Sequence, residues 1–127
     1  MRKSFSVVLK IQAVVFLLFA AFVIFTILFG QNPLSEFFYQ GEEFHWDYEV
    51  MFAGLFFVWG IFLWMISYDP AKHASFIDFT IVANAMHIAV MIVIGLIDSN
   101  ELRHLFTDGV FLFVPTLLIL YFRKGLC

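Results

Sequence analysis

The sequence is poor in cysteine and in charged residues. Its single cysteine, Cys127, excludes an intramolecular disulfide and a metal cluster built on several cysteine ligands. Charged residues make up 13% of the chain, against roughly 25% in an ordinary soluble domain. The net charge of −3 leaves no basic footprint for nucleic acid. A content of 63% hydrophobic residues and a mean hydropathy of +0.96 instead indicate a membrane protein.

Four apolar stretches are long enough to cross a bilayer, whose hydrocarbon core requires ~20 helical residues. The predicted spans are residues 11–30, 49–68, 75–97 and 106–122. The first lacks the short apolar core and cleavage site of a signal peptide, so we expect it to be retained. The sequence therefore predicts an all-α fold, a transmembrane four-helix bundle in a single domain of residues 1–127.

Basic residues are divided unequally between the two sides of these spans. The side that carries both termini has six of them: Arg2, Lys3, Lys10, Lys72, Arg123 and Lys124. The other side has Arg103 alone. The positive-inside rule therefore predicts that both termini are cytoplasmic. The outer loop, residues 31–48, is acidic and aromatic and is expected to lie along the membrane surface.

The third predicted span places most of its polar residues on one side. In a helix, Thr80, Asn84, His87 and Asp98 share a stripe with His73. Ionisable groups at the depth of His87 are costly and are functional candidates by default. We therefore predict a face formed by Asn84 and His87 that binds a lipid, a quinone or another cofactor. The alternative is that the His87 imidazole bonds Asn84 or a neighbouring helix and serves packing only.

A second group of titratable residues lies at the outer ends of the spans. His104 and Asp108 are four residues apart and share a helix face, and Glu49 begins the second span. Glu49, His87 and Asp108 are the candidate catalytic residues. If the carboxyl groups of Glu49 and Asp108 approach each other, their mutual repulsion raises the pKa of one of them, as acid/base chemistry requires. The candidate metal ligands are His45, Glu49, His104 and Asp108. The simpler interpretation is that the acidic residues are solvated and that Asp108 favours a helix N-terminus.

Two further patterns predict local structure. Ala53, Gly60 and Ser67 recur every seven residues and give the second span a seam of small residues suited to close helix contact. Ser75-Phe76-Ile77-Asp78 has the S-x-x-D form of a capping box, which predicts that Asp78 satisfies the first amides of the third span.

Several motifs follow one another between residues 48 and 110. They are Tyr48-Glu49-Val50-Met51, Asp69-Pro70 with His73, Ser75-Phe76-Ile77-Asp78-Phe79-Thr80-Ile81, Asn84, His87, Met91, His104 and Asp108. Together they resemble an uncharacterised family of small four-span bacterial membrane proteins, domains of unknown function that are loosely similar to the DoxX-like group in size and topology. The resemblance implies four helices and a bacterial origin, and it supplies no reaction. The positions that match the pattern are Glu49, His73, Asn84, His87 and Asp108.

Three functions remain open. The first is an accessory subunit or a lipid-, quinone- or cofactor-binding module that acts through Asn84 and His87. It would work in the bacterial cytoplasmic membrane, among membrane lipids and beside other membrane subunits or further copies of itself. The second is a small intramembrane enzyme or metal-site protein that uses Glu49, His87, His104 and Asp108. The third is a proton-coupled transporter, which would have to dimerise because single-chain transporters usually contain two repeats. The short chain leaves little room for a soluble catalytic domain, which favours the first.

Overall fold

The computed structural model describes residues 2–30 and 46–126, apart from the side chains of Trp46, His104, Asp108 and Leu126. These residues form four α-helices and contain no strand. The helices are α1 (Arg2–Phe29), α2 (Trp46–Ile66), α3 (Ala74–Ile97) and α4 (Leu102–Arg123). Short 3₁₀ turns cover Pro70–His73, Ser99–Glu101 and Lys124–Leu126. The all-α prediction is confirmed for this part of the chain, whereas residues 31–45 of the predicted outer loop lie outside it.

Three helical stretches are long and apolar enough to cross a membrane: Arg2–Phe29, Asp47–Ile66 and Pro70–Ile97. A fourth span is counted if Ser99–Thr107 and Gly109–Arg123, which meet at a bend of 48°, cross the membrane together. α1 begins at Arg2 rather than at Ile11, since neither proline nor glycine occurs before Gly30 to interrupt the helix. The spans indicate an integral membrane protein.

The chain divides into two compact units. The α1–α2 unit comprises residues 12–65. Its helices approach each other closely at Gly60, where an added Cβ would lie 2.9 Å from the Cγ of Leu17 and 3.0 Å from the carbonyl oxygen of Ala13. Ala53 and Gly60 of the predicted small-residue seam are both buried, as is Ser67 beyond this unit. Close helix contact is therefore confirmed at Gly60 and Ala53 of the seam, the latter packing with Ala20 and Val23.

Aromatic rings fill the rest of the contact between α1 and α2. The Phe16 ring meets Phe56 edge to face at a centroid distance of 4.8 Å and meets Trp59 at 5.2 Å. Phe19 makes a similar contact with Phe56 at 5.3 Å. Edge-to-face pairs of this kind are favourable beyond the area that they bury. The α1–α2 unit is therefore held together mainly by apolar packing.

The α3–α4 unit comprises residues 1–11 and 66–127. Its two long helices form an antiparallel hairpin around the turn at Ser99–Glu101, where the Asp98 carboxylate accepts a hydrogen bond of 2.9 Å from the Asn100 amide. This contact confirms the predicted turn at residues 98–100. The Phe5 ring, near the start of α1, stacks on Phe122 at a centroid distance of 6.0 Å.

Candidate functional site

Asn84 is buried where α3 meets α4. Its side chain is 2% exposed, and its Nδ2 donates a hydrogen bond of 3.0 Å to the hydroxyl of Thr116 on α4. The Thr116 hydroxyl in turn donates to the carbonyl oxygen of Leu112 at 2.5 Å. A buried amide that found no partner within the hydrocarbon region would cost several kcal/mol, so this chain of bonds stabilises the helix pair. Asn84 thus has a defined internal role in the hairpin.

His87 lies on the exposed side of α3, away from the bond between Asn84 and Thr116. Three residues of helix turn its side chain by about 60° from that of Asn84. The neighbouring apolar residues Val90 and Ile94 are also exposed. A polar imidazole in the middle of an apolar span is costly to place against lipid, which makes the exposure of His87 a notable feature of α3.

The predicted polar stripe of α3 is therefore divided in the structure. Thr80 and Asn84 are buried, whereas His73, His87 and Asp98 are exposed. The buried side of α3 is centred near Asn84. Residues at the edge of the predicted polar stripe, such as His87, therefore lie on the exposed side of the helix. The structure does not bring Asn84 and His87 together on one open surface.

Asp78 makes a contact that the sequence did not predict. Its two carboxylate oxygens accept hydrogen bonds from Nε and Nη2 of Arg123 at 2.6 Å and 2.8 Å. The expected capping box is wrong, because α3 begins at Ala74 and its N-cap, His73, makes no side-chain capping bond. A bidentate pair with arginine satisfies both carboxylate oxygens at once, which a single backbone amide cannot do. The pair joins the start of α3 to the end of α4.

The predicted catalytic and metal site at the outer ends of the helices falls largely outside the described side chains. This holds for His45 and for the side chains of His104 and Asp108. Glu49, in the first turn of α2, is half-buried. Among the described residues, no group of three or more His, Cys, Asp or Glu side chains is placed to hold a metal ion. The catalytic and metal roles of these residues stay predictions.

Gln12 of α1 is a buried polar residue that the sequence analysis did not single out. Its side chain is fully buried, and neither its Nε2 nor its Oε1 has a hydrogen-bond partner among the described residues. The signal was present in the sequence as the one amide side chain of the first predicted span. A buried amide group without a partner lowers the stability of a fold. Gln12 therefore either destabilises the α1–α2 unit or bonds a group outside the described residues.

The helices and their buried polar contacts define a small helical integral membrane protein. The chain belongs to a family of unknown function, DUF6632, whose model matches residues 4–126. This match agrees with the expectation of an uncharacterised family. No curated protein and no solved structure matches the chain.

Proposed function

We propose that the protein is an accessory module of the bacterial cytoplasmic membrane that docks another membrane-embedded molecule through His87. In this proposal the chain crosses the membrane four times as a helical bundle, with both termini cytoplasmic, and is loosely DoxX-like in size and topology. The observation that carries the proposal is the exposure of His87 within an apolar span. Intramembrane ionisable residues usually face a partner, a cavity or a neighbouring helix rather than lipid.

The chemistry of imidazole limits what the docked molecule can be. A neutral imidazole ligates a metal-centred cofactor, or it hydrogen-bonds the polar head of a quinone or lipid or a polar side chain of a partner subunit. The apolar residues beside it, Val90 and Ile94, would contact the hydrophobic part of the same molecule. A membrane-soluble cofactor or a transmembrane helix meets both requirements.

Asn84 supports this function indirectly. Its bond to Thr116 holds α3 against α4, and the bidentate pair of Asp78 and Arg123 holds the same two helices near the start of α3 and the end of α4. A helix that is fixed at two levels presents His87 in a constant direction. Asn84 therefore positions the docking residue rather than forming part of the docking surface.

The proposed topology has two supports. The distribution of basic residues favours cytoplasmic termini. The stacking of Phe5 on Phe122 places the start of α1 beside the end of α4, as four membrane crossings would require.

The test is purification of the full chain in mild detergent, with an absorption spectrum and a native mass. The variant is His87→Ala, and the matched control is His73→Ala, which removes another exposed histidine from the turn before α3. We expect a chromophore, added ligand mass or partner subunit in the parent protein and in His73→Ala, and its loss in His87→Ala. A ligand-free mass and a colourless spectrum for the parent protein, with no partner subunit, would contradict the proposal.

A further inference from the structure

All seven lysine and arginine residues belong to the α3–α4 unit, and six of them lie toward one end of it. The six are Arg2, Lys3, Lys10, Lys72, Arg123 and Lys124. The seventh, Arg103, lies near the start of α4, at the opposite end of that helix. Two acidic residues, Asp69 and Asp78, accompany the six. This end of the unit therefore has a clear excess of positive charge.

Two aromatic contacts bring these basic residues together from separate parts of the chain. Stacking of Phe5 on Phe122 places the first turn of α1 beside the last turn of α4. The Lys10 ammonium lies 4.5 Å from the centre of the Tyr68 ring, which ties α1 to the segment after α2. These contacts bring the basic residues of α1 to the same end of the unit as those beside Tyr68 and Phe122, and the six are called the basic cluster below.

The two acidic residues neutralise only part of this cluster. Asp69 pairs with Lys72 at 3.0 Å, and Asp78 pairs with Arg123. The side chains of Arg2, Lys3 and Lys124 are exposed. These three cations are directed to the surroundings of the protein and are available to an anionic partner.

The electrostatic environment of Asp69 agrees with this arrangement. The hydrogen bond from Lys72 lowers the pKa of the Asp69 carboxyl below its ordinary value, and the positive charge of Arg2 acts in the same direction. Arg2 therefore contributes to the positive potential at this carboxyl.

Exposed tyrosine rings accompany the cluster and favour a lipid as its partner. Tyr68 and Tyr121 are each 70% exposed and lie close to the ends of α2 and α4. Tyrosine is enriched at the level of lipid headgroups, where its ring is apolar and its hydroxyl is hydrated. Basic residues immediately beside transmembrane helices at this depth recognise anionic lipids. The exposed tyrosine rings therefore favour a lipid over an acidic soluble peptide as the partner.

We propose that Arg2, Lys3 and Lys124, flanked by Tyr68 and Tyr121, bind the headgroup of an anionic phospholipid. The three cations pair with the phosphate oxygens, and the tyrosine rings contact the glycerol and upper acyl region. This site is distinct from His87 and does not depend on the function proposed for it.

The experiment uses the full chain in micelles of a non-ionic detergent. Phosphatidylglycerol and phosphatidylcholine with the same acyl chains are titrated in turn, and bound lipid is measured by native mass spectrometry. We expect preferential binding of phosphatidylglycerol that weakens as salt is added. Each basic residue near an anionic headgroup contributes about fivefold in affinity, so the combined variant Arg2→Gln/Lys3→Gln/Lys124→Gln should lose about a hundredfold.

Arg103→Gln is the matched control, because it removes an exposed basic residue at the other end of α4 and should leave the preference unchanged. If the triple variant does not fold, Lys3→Gln and Lys124→Gln are measured singly, each with an expected loss of about fivefold. Equal affinity for the two lipids, or an unchanged preference in the variants, would overturn the proposal. So would selective binding of a polyglutamate peptide without selective binding of phosphatidylglycerol, which would indicate a protein partner.

Discussion

The α1–α2 and α3–α4 units solve the same physical problem with different contacts. Lipid tails are as apolar as leucine, so burial of apolar surface contributes little to association between helices in a membrane. The α1–α2 unit relies on close approach at Gly60 and on the rings around Phe56. The α3–α4 unit relies on a buried amide–hydroxyl bond and an ion pair. Within one chain, shape complementarity therefore stabilises the α1–α2 pair, whereas polar contacts stabilise the α3–α4 pair.

The strongest test of packing in the α1–α2 unit is Gly60→Ala. A Cβ at Gly60 would overlap Leu17 and the Ala13 carbonyl, whereas nothing lies within 4 Å of one at Gly54 in the same helix. Both changes improve helix propensity, so their difference isolates the packing cost, which we expect to be about 1–3 kcal/mol. Unfolding in mixed micelles, followed by circular dichroism, measures it. Equal stability of Gly60→Ala and Gly54→Ala would show that close approach is unimportant.

Gln12→Met tests whether the α1–α2 unit gains from being wholly apolar. The change keeps the length of a fully buried side chain and removes an amide without a partner among the described residues. Since leaving a buried polar group unsatisfied costs about 1–3 kcal/mol, we expect the variant to unfold at a higher denaturant concentration. Gln12→Glu is the control and should be less stable than either. A loss of stability in Gln12→Met would mean that the amide has a partner in the membrane.

A double-mutant cycle tests the polar contact of the α3–α4 unit. Asn84→Ala and Thr116→Val each remove one side of the 3.0 Å bond. Polar contacts between transmembrane helices average about 0.6 kcal/mol and reach about 1.7 kcal/mol, and we expect a coupling energy in that range. Thr107→Val is the control, because the Thr107 hydroxyl bonds the Arg103 carbonyl within α4. A coupling of Asn84→Ala with Thr107→Val as large as with Thr116→Val would reject the assigned contact.

The ion pair at the end of the α3–α4 unit is expected to matter less, because the Asp78 side chain is half exposed to its surroundings. Asp78→Asn and Arg123→Gln should each reduce thermal stability, and the exchanged pair Asp78→Arg/Arg123→Asp should recover part of the loss. Lys124→Gln, measured in lipid-free detergent, is the control and should change little. If the exchanged pair is the least stable of all, the pairing does not determine stability at this position.

The smallest expected effect is the pH dependence of the Asp69 and Lys72 pair. Because the hydrogen bond from Lys72 lowers the pKa of Asp69, the pair stabilises the folded chain above the ordinary aspartate pKa of about 3.9. That contribution is lost as the pH falls through the lower pKa of the folded state. The difference in stability between the parent protein and Asp69→Asn should therefore be largest near neutral pH and vanish in acid. A constant difference over this range would contradict the assignment.

Local sequence patterns predicted much of this architecture. The apolar runs predicted helices that span a membrane, and Asp98-Ser99-Asn100 predicted the turn between α3 and α4. The heptad spacing of small residues predicted the contact surface of α2, because a period of seven residues returns to nearly the same side of a helix. Each of these features depends only on residues that are near one another in the chain.

Features that depend on distant residues were not predicted. The residues next to Asp78 predicted a helix cap, but the side chain that donates hydrogen bonds to its carboxylate belongs to Arg123, 45 positions away, which the antiparallel fold brings beside it. The same fold brings Thr116 to Asn84 and turns His87 outward, although a helical wheel places both α3 residues on one stripe.

The sequence by itself determined that the chain is helical and belongs in a membrane, because the length and hydrophobicity of each apolar run can be read from residues that are adjacent in the chain. Only the tertiary structure decided which of the described polar residues are buried between helices and which are exposed. The reason is that the register of α4 against α3 selects the buried side of each helix, and no single segment contains that information.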